Sequence, residues 1–119
     1  MRNVVKLFEK SGYSIVFNND SKDETFPITK TIYWDPSKAV RDNHGHTISP
    51  ALALGHEMVH AIGGRLRDRL HAIRDSQYDN KEERRVIRQY ENPAARQLGE
   101  GIRDSHHGTF YTVFSVDQR

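Results

Sequence analysis

No cysteine occurs among the 119 residues. That removes disulfides, thiolate metal sites and a cysteine nucleophile together, and leaves the redox compartment open. Long apolar runs are missing as well. Nothing approaches the roughly 20 residues that a membrane-spanning helix needs, and the mean hydropathy of −0.80 describes a chain that works in water, with no membrane partner expected. An excess of one charge is nearly absent: 18 basic residues face 16 acidic ones, for a net charge of +2. Basic residues gather in 65–74 and 84–103, but aspartates and glutamates interrupt them, so they read as solvated helix faces rather than a nucleic-acid stripe. No nucleic-acid partner is expected, and an acidic protein substrate is compatible with the charge. The opening residues Met1 to Lys6 are charged and lack an apolar signal-peptide core, so a cleaved leader is not expected on this segment. The length suits one domain, residues 1–119, with a single core.

Against this polar background one stretch stands out, Ala51-Leu52-Ala53-Leu54-Gly55-His56-Glu57-Met58-Val59-His60-Ala61-Ile62-Gly63-Gly64. His56 and His60 are four apart, so on a helix they project about 40° from each other, one turn up the same face, and both imidazoles can reach one ion. Glu57 flanks that face, where it can hold a water molecule and take its proton. His-Glu-x-x-His is a short motif of low specificity when it stands alone. Here Leu52, Leu54, Met58, Val59, Ala61 and Ile62 make the helix mostly apolar, and buried imidazoles beside a carboxylate need a partner to offset desolvation. Ser49-Pro50 supplies a start and Gly63-Gly64 a stop. The segment reads as the helix of a zinc hydrolase.

Before it, apolar residues at 4, 5, 7 and 8 predict a short helix over 3–9, ended by Ser11-Gly12. Tyr13–Phe17 and Lys30–Trp34 read as strands, with polar turn material at 18–24 between them, which suggests a hairpin or small antiparallel sheet. Tyr33 and Trp34 suit packing in that sheet. Residues 37–49 hold Asn43-His44-Gly45-His46-Thr47, a loop whose two histidines are expected to be exposed. After the central helix, Leu66, Leu70 and Ile73 have helical spacing, so 65–74 either extends the helix or forms a short separate one. His71 is expected on the surface, and 75–81 is a polar connection.

Two imidazoles leave zinc short of its usual three protein ligands, and six residues past His60 stands Leu66 rather than a third histidine. The third ligand must come from downstream, from Glu82, Glu83, Glu91, Glu100, His106 or His107. In the helical run after Lys81 the apolar positions are 86, 87 and 90, and Glu83 precedes them by three, four and seven residues. Glu83 is therefore expected to point inward as the ligand, with Glu82 nearer the edge of the stripe. Asn92 and Pro93 can open a further helix that Gly99 closes. Arg103, His106, His107 and Tyr111 cluster in the tail as candidate donors to an oxyanion, with His107 and Tyr111 the expected catalytic partners of Glu57. Phe110–Val116 is β-rich and suits a third strand.

The chain resembles the short metallopeptidases of bacterial effectors and polymorphic toxins, the group that includes the NleD-like type III effectors. The likeness runs from about Ile32 to His107. It rests on Tyr33-Trp34-Asp35-Pro36, the Ser-Pro-Ala-Leu-Ala-Leu lead into His56-Glu57-Met58-Val59-His60-Ala61, the Glu82-Glu83 pair that opens a later helix, and Glu91-Asn92 followed by basic residues. Where those effectors close with an Arg and a Tyr, this chain has Arg103, then His106-His107, then Tyr111. The resemblance implies an α+β, minimal zincin-like domain, a small antiparallel sheet packed on the histidine-motif helix, with the Glu-Glu region providing the third ligand of Zn²⁺. It further implies a zinc endopeptidase, the toxin domain of a longer protein, delivered by a secretion system into a host or competitor cell. Its substrate protein would be bound as an extended strand, and a cognate immunity protein or inhibitor is the further partner. The alternatives are a regulatory peptidase of the producing cell and a binding module whose zinc is only structural.

Overall fold

The computed structural model describes residues 2–119. In chain order the elements are α1 (Arg2–Glu9), β1 (Ser14–Phe17), β2 (Glu24–Phe26), β3 (Thr31–Trp34), β4 (Lys38–Arg41), β5 (Thr47–Ile48), α2 (Pro50–Ala61), α3 (Gly64–His71), β6 (Arg74–Asp75), β7 (Asp79–Asn80), α4 (Lys81–Val86), a π-helical turn (Ile87–Glu91), α5 (Asn92–Leu98) and β8 (Thr109–Thr112). The class is α+β, with small sheets and helices gathered on α2.

Helix α2 starts where Ser49 Oγ accepts from Leu52 N at 3.2 Å, and Pro50 follows with no N–H to leave unpaired. Glu100 reaches back to the same end and accepts from Ser49 N at 2.7 Å and Ser49 Oγ at 2.9 Å. Its charge sits at the positive end of the helix dipole, and that is its place in the fold rather than at the histidines. The other end stops at Ala61, and α3 restarts from Gly64 at φ +57°, so 65–74 carries a separate helix. Gly63 is required by packing: a Cβ there would lie 2.7 Å from Arg67 Cβ and 2.9 Å from an Arg85 guanidinium nitrogen.

The core surrounds α2. Phe8, Ile32, Trp34 and Ala61 form one cluster with Leu54 and Met58, while Val4, Val59 and Val86 join α1 and α4 to it. Val40, Ile48, Leu52, Ala53, Ala94 and Ala95 form another. Ile32, Val59 and Val86 are wholly buried, each worth about 1.5–3 kcal/mol by transfer from water. Trp34 also donates its indole N–H to Pro50 O at 2.9 Å, so the buried ring leaves no polar atom unpaired.

The expected hairpin between the first two strands does not form. β1 and β3 are parallel, with Ile15 opposite Ile32 and Phe17 opposite Trp34. The residues between them, of which 18–24 read as turn material, contain β2 from Glu24 on, which runs antiparallel along the far side of β3. Parallel neighbours need a crossover of about a dozen residues, and the stretch from Asn18 to Lys30 is long enough to supply it. Residues 37–49 likewise hold more than a loop. β4 and β5 pair there, and β8 adds to the other side of β4. Only the tip stays irregular, where the Asp42 carboxylate accepts from the backbone N–H of His44 at 2.9 Å and of His46 at 2.8 Å. His44 and His46 are exposed, and the terminal strand ends at Thr112.

Between α4 and α5 the expected cap at Asn92 is absent, because the helix runs on through a π turn in which Asn92 N bonds to Ile87 O. Pro93 explains the turn's place: it has no N–H for Gln89 O, and its ring would press on that carbonyl in a regular helix. The extra residue shifts the phase. Tyr90, expected in the core, is 37 % exposed beneath the Arg85 guanidinium, and Glu91 takes the inward position at 0 %. No helix among the described residues is long and apolar enough to cross a membrane.

Candidate metal centre

Asn80, extended at the end of β7, accepts from Glu83 N at 2.9 Å and so caps α4. That cap places Glu82 and Glu83 in the first turn, facing α2. Glu83 Oε1 then lies 2.9 Å from His56 Nε2 and 2.9 Å from His60 Nε2, and the two nitrogens are 3.0 Å apart.

The other ring nitrogens fix the protons. His56 Nδ1 lies 2.8 Å from Glu91 Oε1, and His60 Nδ1 lies 2.8 Å from Glu82 Oε2. A carboxylate only accepts, so each Nδ1 carries a hydrogen, and once the imidazole is neutral each Nε2 presents a lone pair. Two lone pairs and a carboxylate oxygen thus converge within 3.0 Å of one another. Such a set repels itself unless protons or a cation sit among it. A tetrahedral divalent ion with ligands at about 2.0–2.1 Å spaces them about 3.3 Å apart, so a few tenths of an ångström of opening admits one. The donor set of imidazole and carboxylate fits.

The carboxylates behind the imidazoles are themselves held. Glu82 takes two bonds from Arg85, at 2.7 and 2.8 Å, and Glu91 takes two from Arg103, at 2.7 and 2.5 Å. Asn92 grips the Arg103 backbone on both sides, donating to its carbonyl at 2.7 Å and accepting from its N–H at 2.9 Å. The irregular backbone at Arg103 is thereby tied to α5. With Glu82 and Glu91 paired, Glu57, Glu83 and Asp23 meet no lysine or arginine among the described residues. A divalent cation held here would add positive charge beside Glu57 and Glu83. Replacing Glu91 by Gln should lower metal affinity about 10- to 100-fold, as loss of an orienting partner does, measured by chelator competition.

Glu57 is buried next to this cluster, its Oε2 3.9 Å from His56 Nε2. Thr25 of β2 donates its hydroxyl to Glu57 Oε1 at 2.8 Å and so fixes the carboxylate. Thr25 lies beside a polar turn and carries no motif, so the sequence does not mark it. Asp23 goes unmarked for the same reason. It accepts from Asp35 N at 2.8 Å through one oxygen, while the other is buried with no hydrogen-bond partner among the described residues. Burial pushes its carboxyl up to about 7.

The tail residues divide differently from expectation. His107 is exposed and is not brought to the cluster. Tyr111 lies under the Arg41 guanidinium, 4.7 Å away, with its hydroxyl buried, while Phe110, one place earlier in β8, lines the cavity beside His56 and Glu57. Alternation along the strand turns one residue of that pair toward the site and the other away. His106 stands at the site instead, its ring stacked on His56 at 5.8 Å and its Nε2 3.4 Å from Glu83 Oε1. Glu57 and His106 are also within ligating reach, Glu57 together with His56 and His60, and His106 together with His56 and Glu83.

Burial alone would depress both imidazoles, but the bonds to Glu83 and Glu91 carry His56 up to about 10, and those to Glu82 and Glu83 carry His60 up to about 9. Glu83 is held well below the usual carboxylate range by the same two histidines, despite its burial. These directions belong to the metal-free protein. Raised histidines stabilise the fold fully below their unfolded value, about 6.5, and that stability is lost as pH rises through 9 and 10. Metal binding needs the imidazoles neutral and so reverses the slope. Urea midpoints taken from pH 6.5 to 10 should fall in chelator and hold or rise with metal.

Comparison of the chain with protein-family models, with curated proteins and with solved structures finds no match.

Proposed function

We propose that the chain is a zinc-dependent endopeptidase in which His56, His60 and Glu83 hold the ion and Glu57 is the general base. The observation that carries this reading is the convergence of three acceptor atoms within 3.0 Å beside a separately anchored carboxylate. Zinc, when bound, supplies a Lewis acid that polarises a carbonyl and lowers the pKa of water. Glu57 takes the proton of the attacking water and hands it to the departing amine nitrogen, and Thr25 keeps its carboxylate aimed. The Arg85–Glu82–His60 and Arg103–Glu91–His56 relays orient the two imidazoles.

A cleft of about 540 Å³ opens at this point, lined by β2, the segment through Pro27 and Ile28, and His60, Glu83 and His106. β2 is an edge of its sheet, so its outer backbone groups are free to pair with a substrate laid down as an added strand. Asp23, Glu24 and Asp68 line the cleft against one arginine, Arg67. That lining suits neutral or basic peptide segments and disfavours the acidic substrate that net charge alone allowed. A purely structural zinc would have no use for the bond from Thr25 to Glu57, which favours the enzyme over the binding module. The sequence resemblance carries the further step, that the substrate is a protein of a host or competitor cell. Incubation of the zinc-loaded protein with a cell lysate, followed by mapping of new protein termini, tests both. New termini should appear with the wild type and disappear with chelator; their absence would remove the peptidase reading.

A further inference from the structure

Three histidines at this site share one arrangement. His56 Nδ1 is backed by Glu91 at 2.8 Å, His60 Nδ1 by Glu82 at 2.8 Å, and His106 Nδ1 by Asp79 at 2.7 Å. All three Nε2 atoms face the same oxygen, Glu83 Oε1, at 2.9, 2.9 and 3.4 Å. Imidazoles that bind metal nearly always give their second N–H to a carboxylate or carbonyl, which fixes the tautomer and makes the free nitrogen a better donor. His106 has that arrangement, although it comes from coil and lies outside the histidine motif. We infer that His106 is a fourth protein ligand of the same ion, closing the site at rest and giving way when substrate arrives.

The surroundings distinguish it from the other two. The His56 and His60 side chains are 3 % and 7 % exposed on a packed helix, and their carboxylates are buried. The His106 side chain is 32 % exposed and Asp79 54 % exposed. Asp79 takes φ +74° at the end of the β6–β7 turn, a conformation that aspartate tolerates better than most residues and that turns it toward the tail. The coil is pinned on either side of His106. Asn92 holds Arg103, and a Cβ at Gly108 would come within 2.7 Å of Val40 Cγ1, so the backbone lies flat on β4 there. Release therefore asks only for rotation of one half-exposed side chain, not for movement of the segment. A four-ligand site of this kind has no open position for hydrolysis until it happens.

This inference rests on the metal reading above, and the test separates the two. Metal-free protein is loaded with one equivalent of Co²⁺, and X-ray absorption counts the imidazoles on the ion in the wild type and in His106→Ala, with Glu57→Gln as a control. The expected counts are three, two and three. Acetohydroxamate, a small bidentate metal binder, should reduce the wild-type count to two and should bind His106→Ala more tightly, because no ligand has to be displaced. Because His106 is half exposed, the variant should melt with the wild type in the metal-free state; if it does not, Asp79→Asn replaces it, and a partial loss of the third imidazole is expected. No bound Co²⁺ in the wild type removes the metal site altogether. One bound Co²⁺ with two imidazoles overturns the role of His106 alone, and a count of three that persists with hydroxamate bound overturns its displacement.

Discussion

Glu57→Gln should leave zinc binding and thermal stability nearly unchanged while peptide cleavage per zinc falls by roughly 10²- to 10⁴-fold, the usual contribution of a positioned acid–base group. The glutamine side chain has the same shape, and its amide oxygen can still accept the Thr25 hydroxyl that now lies 2.8 Å from Glu57 Oε1. What it loses is basicity. The three converging donors belong to His56, His60 and Glu83, so the ion keeps its ligands. Turnover within tenfold of the wild type, measured on the same peptide with zinc content determined in parallel, would place the base elsewhere.

Glu83→Ala and Glu82→Ala, adjacent in sequence, should produce opposite patterns. Glu83 Oε1 lies 2.9 Å from both histidine Nε2 atoms, so its removal takes away a charged ligand, and zinc affinity should fall by more than the 10- to 100-fold expected of an orienting group. Glu82 touches only the back of His60 and pairs with Arg85, whose side chain is 9 % exposed. Without Glu82 that guanidinium is buried and unpaired, a change that typically costs about 3–5 kcal/mol. Chelator competition and metal-free urea unfolding therefore rank the two variants in opposite order. Equal loss of zinc from both would mean that Glu83 is not singled out as the ligand.

The central part of this arrangement was legible because its spacing is local. His56, Glu57 and His60 lie within about one turn of one helix, and the start of α2 follows from Ser49-Pro50. The stripe of Val86 and Ile87 turns Glu83 toward α2, but Glu82, expected nearer the edge, is the deeper of the two, its side chain 1 % exposed against 16 % for Glu83, because it pairs with Arg85 behind His60. What was not legible depends on partners distant in sequence or on a change of helical phase. β1 carries no sign that β3 rather than a hairpin neighbour lies beside it, and in parallel. β2 is too short and polar to signal a strand, which hid Thr25 and Asp23. The π turn before Pro93 exchanges Tyr90 for Glu91 on the inner face, so a regular periodicity brings the wrong one of the two inward. In the tail, irregular backbone has no period at all. Nothing in the pair His106-His107 says which ring reaches Glu83, and only Asp79 and the anchors at Arg103 and Gly108 decide it.

The measurement that bears most directly on the metal centre is a zinc titration of chelator-stripped wild-type protein, followed by calorimetry in two buffers of different ionisation enthalpy. One zinc should bind per chain, with protons released because His56 and His60, raised to about 10 and 9 without metal, must bind zinc in the neutral form. His60→Ala should abolish both the stoichiometric binding and the proton release. A wild-type chain that takes up no zinc, or takes it up equally well without His60, would contradict the account.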